Sequence, residues 1–178
     1  PGTNRINVYT IRKATIAFAT FLANKFKDAR DRGVVISHDN RHMSREFCLE
    51  AANTLAACGI KAYIFDSLRT TPELSFAIRE LKCQAGIVIT ASHNPKEYNG
   101  YKAYWEDGGQ LVSPHDKNVI TEVEKITDFS MVNFNVNNDL IEYLDEKFDE
   151  IYINKILGLS LSPESIKKFS SGSSSKNN

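Results

Sequence analysis

The chain has 178 residues, 42% apolar and 25% charged, the size and composition of one soluble globular domain, or one domain with a tail, that buries its core without staples. Lys and Arg number 22 and Asp and Glu number 22, and a net charge of zero argues against a nucleic-acid or anionic-membrane surface as the main function. No apolar run reaches the length of a bilayer-spanning helix, and no basic stretch followed by an apolar one marks a secretory signal.

Ile11, Ala14, Phe18, Phe21 and Leu22 recur at helical spacing, which predicts an amphipathic helix over about residues 10–30, closed by Gly33. Val34-Val35-Ile36 reads as a buried strand. A polar loop follows, His38-Asp39-Asn40-Arg41-His42. Ser44 is the expected N-cap of a second helix with Phe47, Ala51, Leu55 and Cys58 on its apolar face and Gly59 at its end. Residues 60–65 alternate as a second strand. Thr71-Pro72-Glu73 reads as the hydroxyl cap, first-turn proline and first-turn acid of a helix to about Lys82.

Gly86-Ile87-Val88-Ile89-Thr90 is apolar on both faces, as at the centre of a covered sheet. It runs into the polar loop Ala91-Ser92-His93-Asn94-Pro95. Asn99-Gly100 is a turn signal, Tyr101 to Trp105 a strand, and Asp107-Gly108-Gly109 a tight turn. Ser113-Pro114 is expected to cap a helix with Val119, Ile120 and Val123 inward, and His115 to be exposed. Residues 128–139 lack periodicity and read as a loop. A last helix over about residues 145–157 carries Phe148, Ile151, Tyr152 and Ile156 on one side. From Ser170 onward only Ser, Gly, Lys and Asn occur, a linker composition. No internal repeat is visible. The order of elements predicts a layered α/β domain with a mainly parallel sheet.

Cys48, Cys58 and Cys83 are odd in number and never spaced as C-x-x-C, so they are expected to be small buried thiols in a reducing cytosol. His38 and His42 are four apart, but on a loop without a third ligand at matching spacing they do not support zinc. The chain starts at Pro1 without an initiator Met, which points to an excerpt or a processed chain.

Ligands bind beyond the carboxyl ends of strands in open α/β sheets. If the strands ending at Ile36 and Ile89 are neighbours, both polar loops face one cleft. Ser92 offers a hydroxyl, His93 an imidazole able to carry a proton, Asn94 hydrogen bonds, and Lys102 a cation that can return across the Asn99-Gly100 turn. That set suits nucleophilic or phosphoryl chemistry. Neither a G-x-S-x-G elbow nor a P-loop is present. Against this stand blander readings: a simple turn at Ser92-His93-Asn94-Pro95, a solvated edge lysine at Lys102, and an Arg41–Asp39 loop ion pair.

Thr90-Ala91-Ser92-His93-Asn94-Pro95, followed by Tyr98-Asn99-Gly100-Tyr101-Lys102, resembles the phosphoserine loop of the α-D-phosphohexomutases, the phosphoglucomutase/phosphomannomutase family, at the family's spacing. Asp39-Asn40-Arg41 is similar to the family's D-x-R after the first strand. Thr71-Pro72-Glu73-Leu74-Ser75-Phe76-Ala77 and Asp107-Gly108-Gly109-Gln110 resemble the α-phosphoglucomutase branch, which also holds phosphopentomutases. The likeness covers residues 4–163.

The resemblance implies an α/β/α first domain of four over residues 1–163, and a linker over 164–178. It implies that Ser92 carries a phosphoryl group and exchanges it with a sugar monophosphate through a 1,6-bisphosphate, interconverting glucose 1-phosphate and glucose 6-phosphate. His93 and Lys102 would manage protons and charge. Asn94 and Arg41 would contact substrate or phosphate, and Mg²⁺ would bridge the Ser92 phosphate oxygen and an aspartate cluster. Glucose 1,6-bisphosphate would be the activator, the phosphosugar and the remaining domains the partners, and the cytoplasm the place. A serine phosphate is stable in water, so such a site needs metal and fixed cations.

The family's upstream Gly- and Arg-containing motif and the D-x-D-x-D metal loop of its second domain do not occur here, so this chain alone is expected not to turn over substrate. Alternatives are a phosphomannomutase or phosphopentomutase, a non-catalytic phosphosugar-binding module, and a phosphatase.

Overall fold

The computed structural model describes Gly2 and residues 5–128, 135–165, 167 and 168. Helix α1, Val8–Lys25, starts earlier than its apolar spacing suggests. Its cap is Asn7, whose side chain accepts the Thr10 N–H at 3.0 Å while Thr10 Oγ1 accepts the Asn7 N–H at 2.9 Å. The helix also stops short of residue 30. Phe26 is extended, and its ring sits 5.5 Å from that of Trp105. The short helix α2, Ala29–Arg32, follows as a separate turn. Gly33 then takes φ 73°, and a Cβ there would lie 2.5 Å from the Lys61 carbonyl oxygen, so only glycine passes.

Strand β1, Val34–His38, is the middle of a five-stranded sheet. Strands β2, Ala62–Phe65, and β3, Ala85–Ile89, flank it in parallel, with Ile36 opposite both Ile64 and Ile87. Strand β4, Tyr101–Trp105, runs antiparallel to β3 and places Lys102 opposite Val88. Strand β5, Ile141–Leu144, runs parallel to β2 at the far edge and was not expected from the sequence. Four residues with exposed Glu142 and Tyr143 leave no alternation to read. The order is β4-β3-β1-β2-β5, the mainly parallel mixed sheet expected.

Helices α1 and α3, Ser44–Ala57, cover one face. Phe18, Leu22, Phe47 and Leu55 share a core with Ile36, Ile64, Ile87 and Ile89. Gly86, between Ala85 and Ile87, faces the other way. A Cβ on it would strike Ile78 and Leu74 of helix α4, Thr71–Glu80, which therefore covers the second face. Helix α5, His115–Lys125, lies against α1. The result is an α/β/α sandwich.

Several helix ends differ from expectation. The cap of α3 is Met43, in the left-handed region at φ 64°, and Ser44 is already helical. Thr70 rather than Thr71 caps α4, which ends at Glu80. Pro114 caps α5, without a hydroxyl bond from Ser113. Val119 and Val123 are half-buried on α5 but Ile120 is exposed. The last helix, α6, Glu146–Leu157, belongs to a second compact unit, residues 146–178, and stands within a residue of the expected range. The stretch from Ser170 and residues 129–134 of the expected loop lie outside the described residues.

All three cysteines are free. Burial pushes the Cys48 and Cys83 thiols up to about 12, so neither is a nucleophile. Among the described residues no helix is long and apolar enough to cross a membrane.

Candidate active site

Strands β1 and β3 end together, since His38 stands opposite Ile89. The segments that leave them emerge side by side, and the Asp39 N–H donates to the Ile89 carbonyl at 3.3 Å. The two polar loops therefore do face one place, beyond the carboxyl ends of neighbouring strands. His38 itself is not on the loop. It is the last residue of β1 and is buried, with Nδ1 2.8 Å from the Asp39 carbonyl oxygen.

Asp39 is the hub that joins the loops. Its Oδ1 accepts from Ser44 Oγ at 2.7 Å and from the Arg41 N–H at 3.0 Å. Its Oδ2 accepts from Thr90 Oγ1 at 2.6 Å and from Arg41 Nε at 2.8 Å. Burial alone would raise this carboxyl. The hydrogen bonds from Thr90, Ser44 and Arg41 outweigh it and hold the group below the usual carboxylate range. Ser44 thus gives its hydroxyl to Asp39, which is why it does not act as a helix cap.

Arg41 crosses from the first loop to the second. Its Nη2 donates to the Ser92 carbonyl at 2.5 Å. Its Nη1 donates to the carbonyls of Asn94 at 2.6 Å, Pro95 at 2.8 Å and Tyr98 at 3.3 Å. The Arg41–Asp39 ion pair read as one alternative is present, and the same guanidinium also grips the serine loop.

Ser92 is exposed and sits in the left-handed region at φ 58°. For a residue with a Cβ that conformation costs about 1–2 kcal/mol, and nothing in the sequence announces it. Its N–H donates to Thr90 Oγ1 at 3.2 Å, and its own hydroxyl makes no hydrogen bond among the described residues. His93 follows it, equally exposed. Asn94 is exposed too, and its side-chain amide bonds within its own loop, Nδ2 donating to the Ala91 carbonyl at 3.1 Å. Lys102 lies on β4 opposite Val88 and makes no hydrogen bond or ion pair among the described residues. The fold therefore brings Arg41 onto the backbone of Ser92 and Asn94, while Ser92 Oγ, His93 and Lys102 make no bond to one another.

Three members of the network were legible only as something else. Asn99 reads as a hairpin turn, yet its Nδ2 donates to Ser44 Oγ at 2.8 Å and to the His42 carbonyl at 3.0 Å. Gly100 is not left-handed. It is small because a Cβ there would lie 2.7 Å from the Thr90 carbonyl oxygen. Thr90 reads as the last residue of a strand, yet its hydroxyl anchors Asp39. The usable signal is Asp-x-Arg after one strand and a threonine closing its neighbour. His115, expected exposed, is half-buried and stacked on Trp105, with centroids 4.6 Å apart. Among the described residues no three His, Cys, Asp or Glu side chains come together as a metal site.

Residues 2–129 match the family described as phosphoglucomutase/phosphomannomutase, alpha/beta/alpha domain I. The human phosphopentomutase is 44% identical over 131 residues, covering 70% of this chain and 21% of that protein. A Staphylococcus haemolyticus phosphoglucomutase is 41% identical over 163 residues, covering 89% of this chain and 29% of that protein. A Thermus thermophilus crystal structure, provisionally named a phosphomannomutase, superposes with a TM-score of 0.64 at 28% identity over 80% of this chain and 30% of that one. The chain thus spans between a fifth and three tenths of the length of these relatives, 21% and 29% of the two curated ones. Its fold, its serine loop and this match together place the chain in the phosphoglucomutase/phosphomannomutase family, as that family's α/β/α domain I.

Proposed function

We propose that this chain is the first domain of a phosphosugar mutase in which Ser92 carries the phosphoryl group. The observation that carries the reading is Ser92 itself. It is an exposed hydroxyl held in a left-handed backbone at the carboxyl end of β3, on a loop fixed by Arg41. A left-handed residue with a Cβ persists only where its surroundings impose it, and here that conformation fixes the direction in which an exposed hydroxyl is offered.

In the proposed cycle the bond between phosphorus and Ser92 Oγ breaks as O6 of glucose 1-phosphate bonds to phosphorus. The O6 proton is given up, and Ser92 Oγ regains one. The 1,6-bisphosphate turns over in the cleft. Its O1–phosphorus bond then breaks as Ser92 Oγ gives up its proton and takes that phosphoryl group, and O1 is protonated to leave glucose 6-phosphate. His93, the residue after Ser92 in the chain, is the candidate proton carrier. Lys102, a cation without an ion-pair partner among the described residues, is the candidate charge balance. Glucose 1,6-bisphosphate primes the serine.

The described residues do not make a complete magnesium site. No cluster of ligands forms, and Asp39, the carboxylate tied to this loop, has both oxygens engaged by donors. The contribution of this chain would be the phosphate oxygen on Ser92, with carboxylates supplied from elsewhere in the protein. The free thiols suit a reducing compartment, and the reading places the reaction in the cytoplasm.

A pentose reading stands beside the hexose one, because a relative at 44% identity is named a phosphopentomutase. Full-length protein assayed with glucose, mannose and ribose 1-phosphates decides it. The expected result is fastest isomerisation of glucose 1-phosphate, phosphate release far slower than isomerisation, and no turnover by the 178-residue chain alone. Faster ribose 1-phosphate turnover would make it a pentomutase. No isomerisation of any sugar would leave a binding module, and phosphate release as fast as isomerisation would make it a phosphatase.

A further inference from the structure

We infer that Arg41 is a positioning residue whose guanidinium sets the shape of the Ser92 loop, rather than a ligand of the substrate phosphate. The inference rests on the reading of Ser92 as phosphoryl carrier. An arginine has five N–H donors in a rigid fork. Here Nε is on Asp39, Nη1 serves the Asn94, Pro95 and Tyr98 carbonyls, and Nη2 serves the Ser92 carbonyl. At most one N–H is left over, and the side chain is only 10% exposed. The two-pronged grip by which arginine recognises a phosphate is not available.

The loop needs such a brace. Residues 92–98 are all exposed, so burial of apolar surface does little to fix this segment. Four of its carbonyls converge on one point, and their negative ends repel unless a cation sits between them. Ser92 is left-handed, a conformation that persists only where the surroundings impose it. Arg41 supplies the cation and the geometry at once.

Asp39 then fixes Arg41. Thr90 Oγ1, at the start of the loop, and Ser44 Oγ both donate to Asp39, and Asn99, at the end of the loop, donates to Ser44. Both ends of the phosphoserine loop are thereby tied to the carboxylate that aims the guanidinium. A lysine cannot replace it, because a single ammonium cannot span Asp39 and four carbonyls.

The test uses full-length wild type, Arg41→Lys and Arg41→Ala. Three readouts are taken: kcat and KM for glucose 1-phosphate, hydrogen exchange at the Ser92, Asn94 and Tyr98 amides, and rescue of Arg41→Ala by added guanidinium. In Arg41→Lys, kcat is expected to fall about 100-fold with KM within about threefold of wild type, the effect of a displaced reacting group. The three loop amides exchange faster while β1 and β3 amides keep their protection. Guanidinium restores part of the kcat of Arg41→Ala. A tenfold rise in KM with kcat retained would overturn the inference in favour of direct phosphate contact. Unchanged kcat and unchanged loop exchange would overturn it outright. If Arg41→Ala does not fold, Arg41→Lys decides. If wild type never gains phosphate on Ser92, the mutase reading fails, and loop exchange still judges the brace.

Discussion

The Asp39 carboxylate accepts four hydrogen bonds from three residues, so its charge state decides whether the two loops stay joined. Its carboxyl is held below the usual range in the folded protein. A depressed folded value means stabilisation that is full above the ordinary carboxylate value of about 4 and is lost as pH falls through the lower folded value. Asp39→Asn turns an amide toward the Thr90 and Arg41 donors or toward Ser44. It should lower stability by about 2 kcal/mol at neutral pH, the usual effect of losing hydrogen bonds to a charged group. Thermal melts of wild type and Asp39→Asn across pH check this. The gap between the two is expected to narrow below about pH 4. A gap independent of pH would mean that the charge of Asp39 does not hold the loops.

Helices α1 and α5 meet strand β4 at a clasp that the apolar pattern does not reveal. The Lys25 ammonium lies 5.5 Å from the Phe21 and Phe26 rings and 5.3 Å from that of Trp105. It donates to His115 Nδ1 at 3.0 Å, and His115 is stacked on Trp105 with 12° between the planes. His115→Ala removes both the stack and the acceptor. It should cost about 1 kcal/mol of stability and shift the emission of Trp105, the single tryptophan, to longer wavelength. Unchanged emission would mean that α5 is not held there by His115.

The same elements show what a sequence displays and what it hides. The central strands were legible because Val34-Val35-Ile36 and Gly86-Ile87-Val88-Ile89 are buried on both faces. Strand β5 was not, because Ile141-Glu142-Tyr143-Leu144 lies at an edge and reads as neither period. Helix bodies follow from apolar spacing, but their ends depend on hydroxyls and amides that can bond elsewhere. Asn7 caps where spacing points to Thr10, and Ser44 turns to Asp39 instead of capping. At the site, Ser92 stood out through its string of neighbours. The Arg41 brace did not, because its partners are carbonyls, which every residue carries.

Seen whole, the sheet brings two loops from residues about fifty positions apart together at the carboxyl ends of its inner strands, as in the Arg41 and Ser92 pair whose separation is 51. The chain spans 21% and 29% of two relatives named for mutase activity, so the reaction proposed for it belongs to the full-length protein. What this domain must supply is a hydroxyl that takes up and gives back a phosphoryl group. Intact-mass and peptide-mass analysis of full-length protein, after incubation with glucose 1,6-bisphosphate, measures that directly. One added phosphoryl group on the peptide containing Ser92, absent in Ser92→Ala, is the predicted result. Protein that stays unmodified, or that gains the group elsewhere with Ser92→Ala still active, would contradict it.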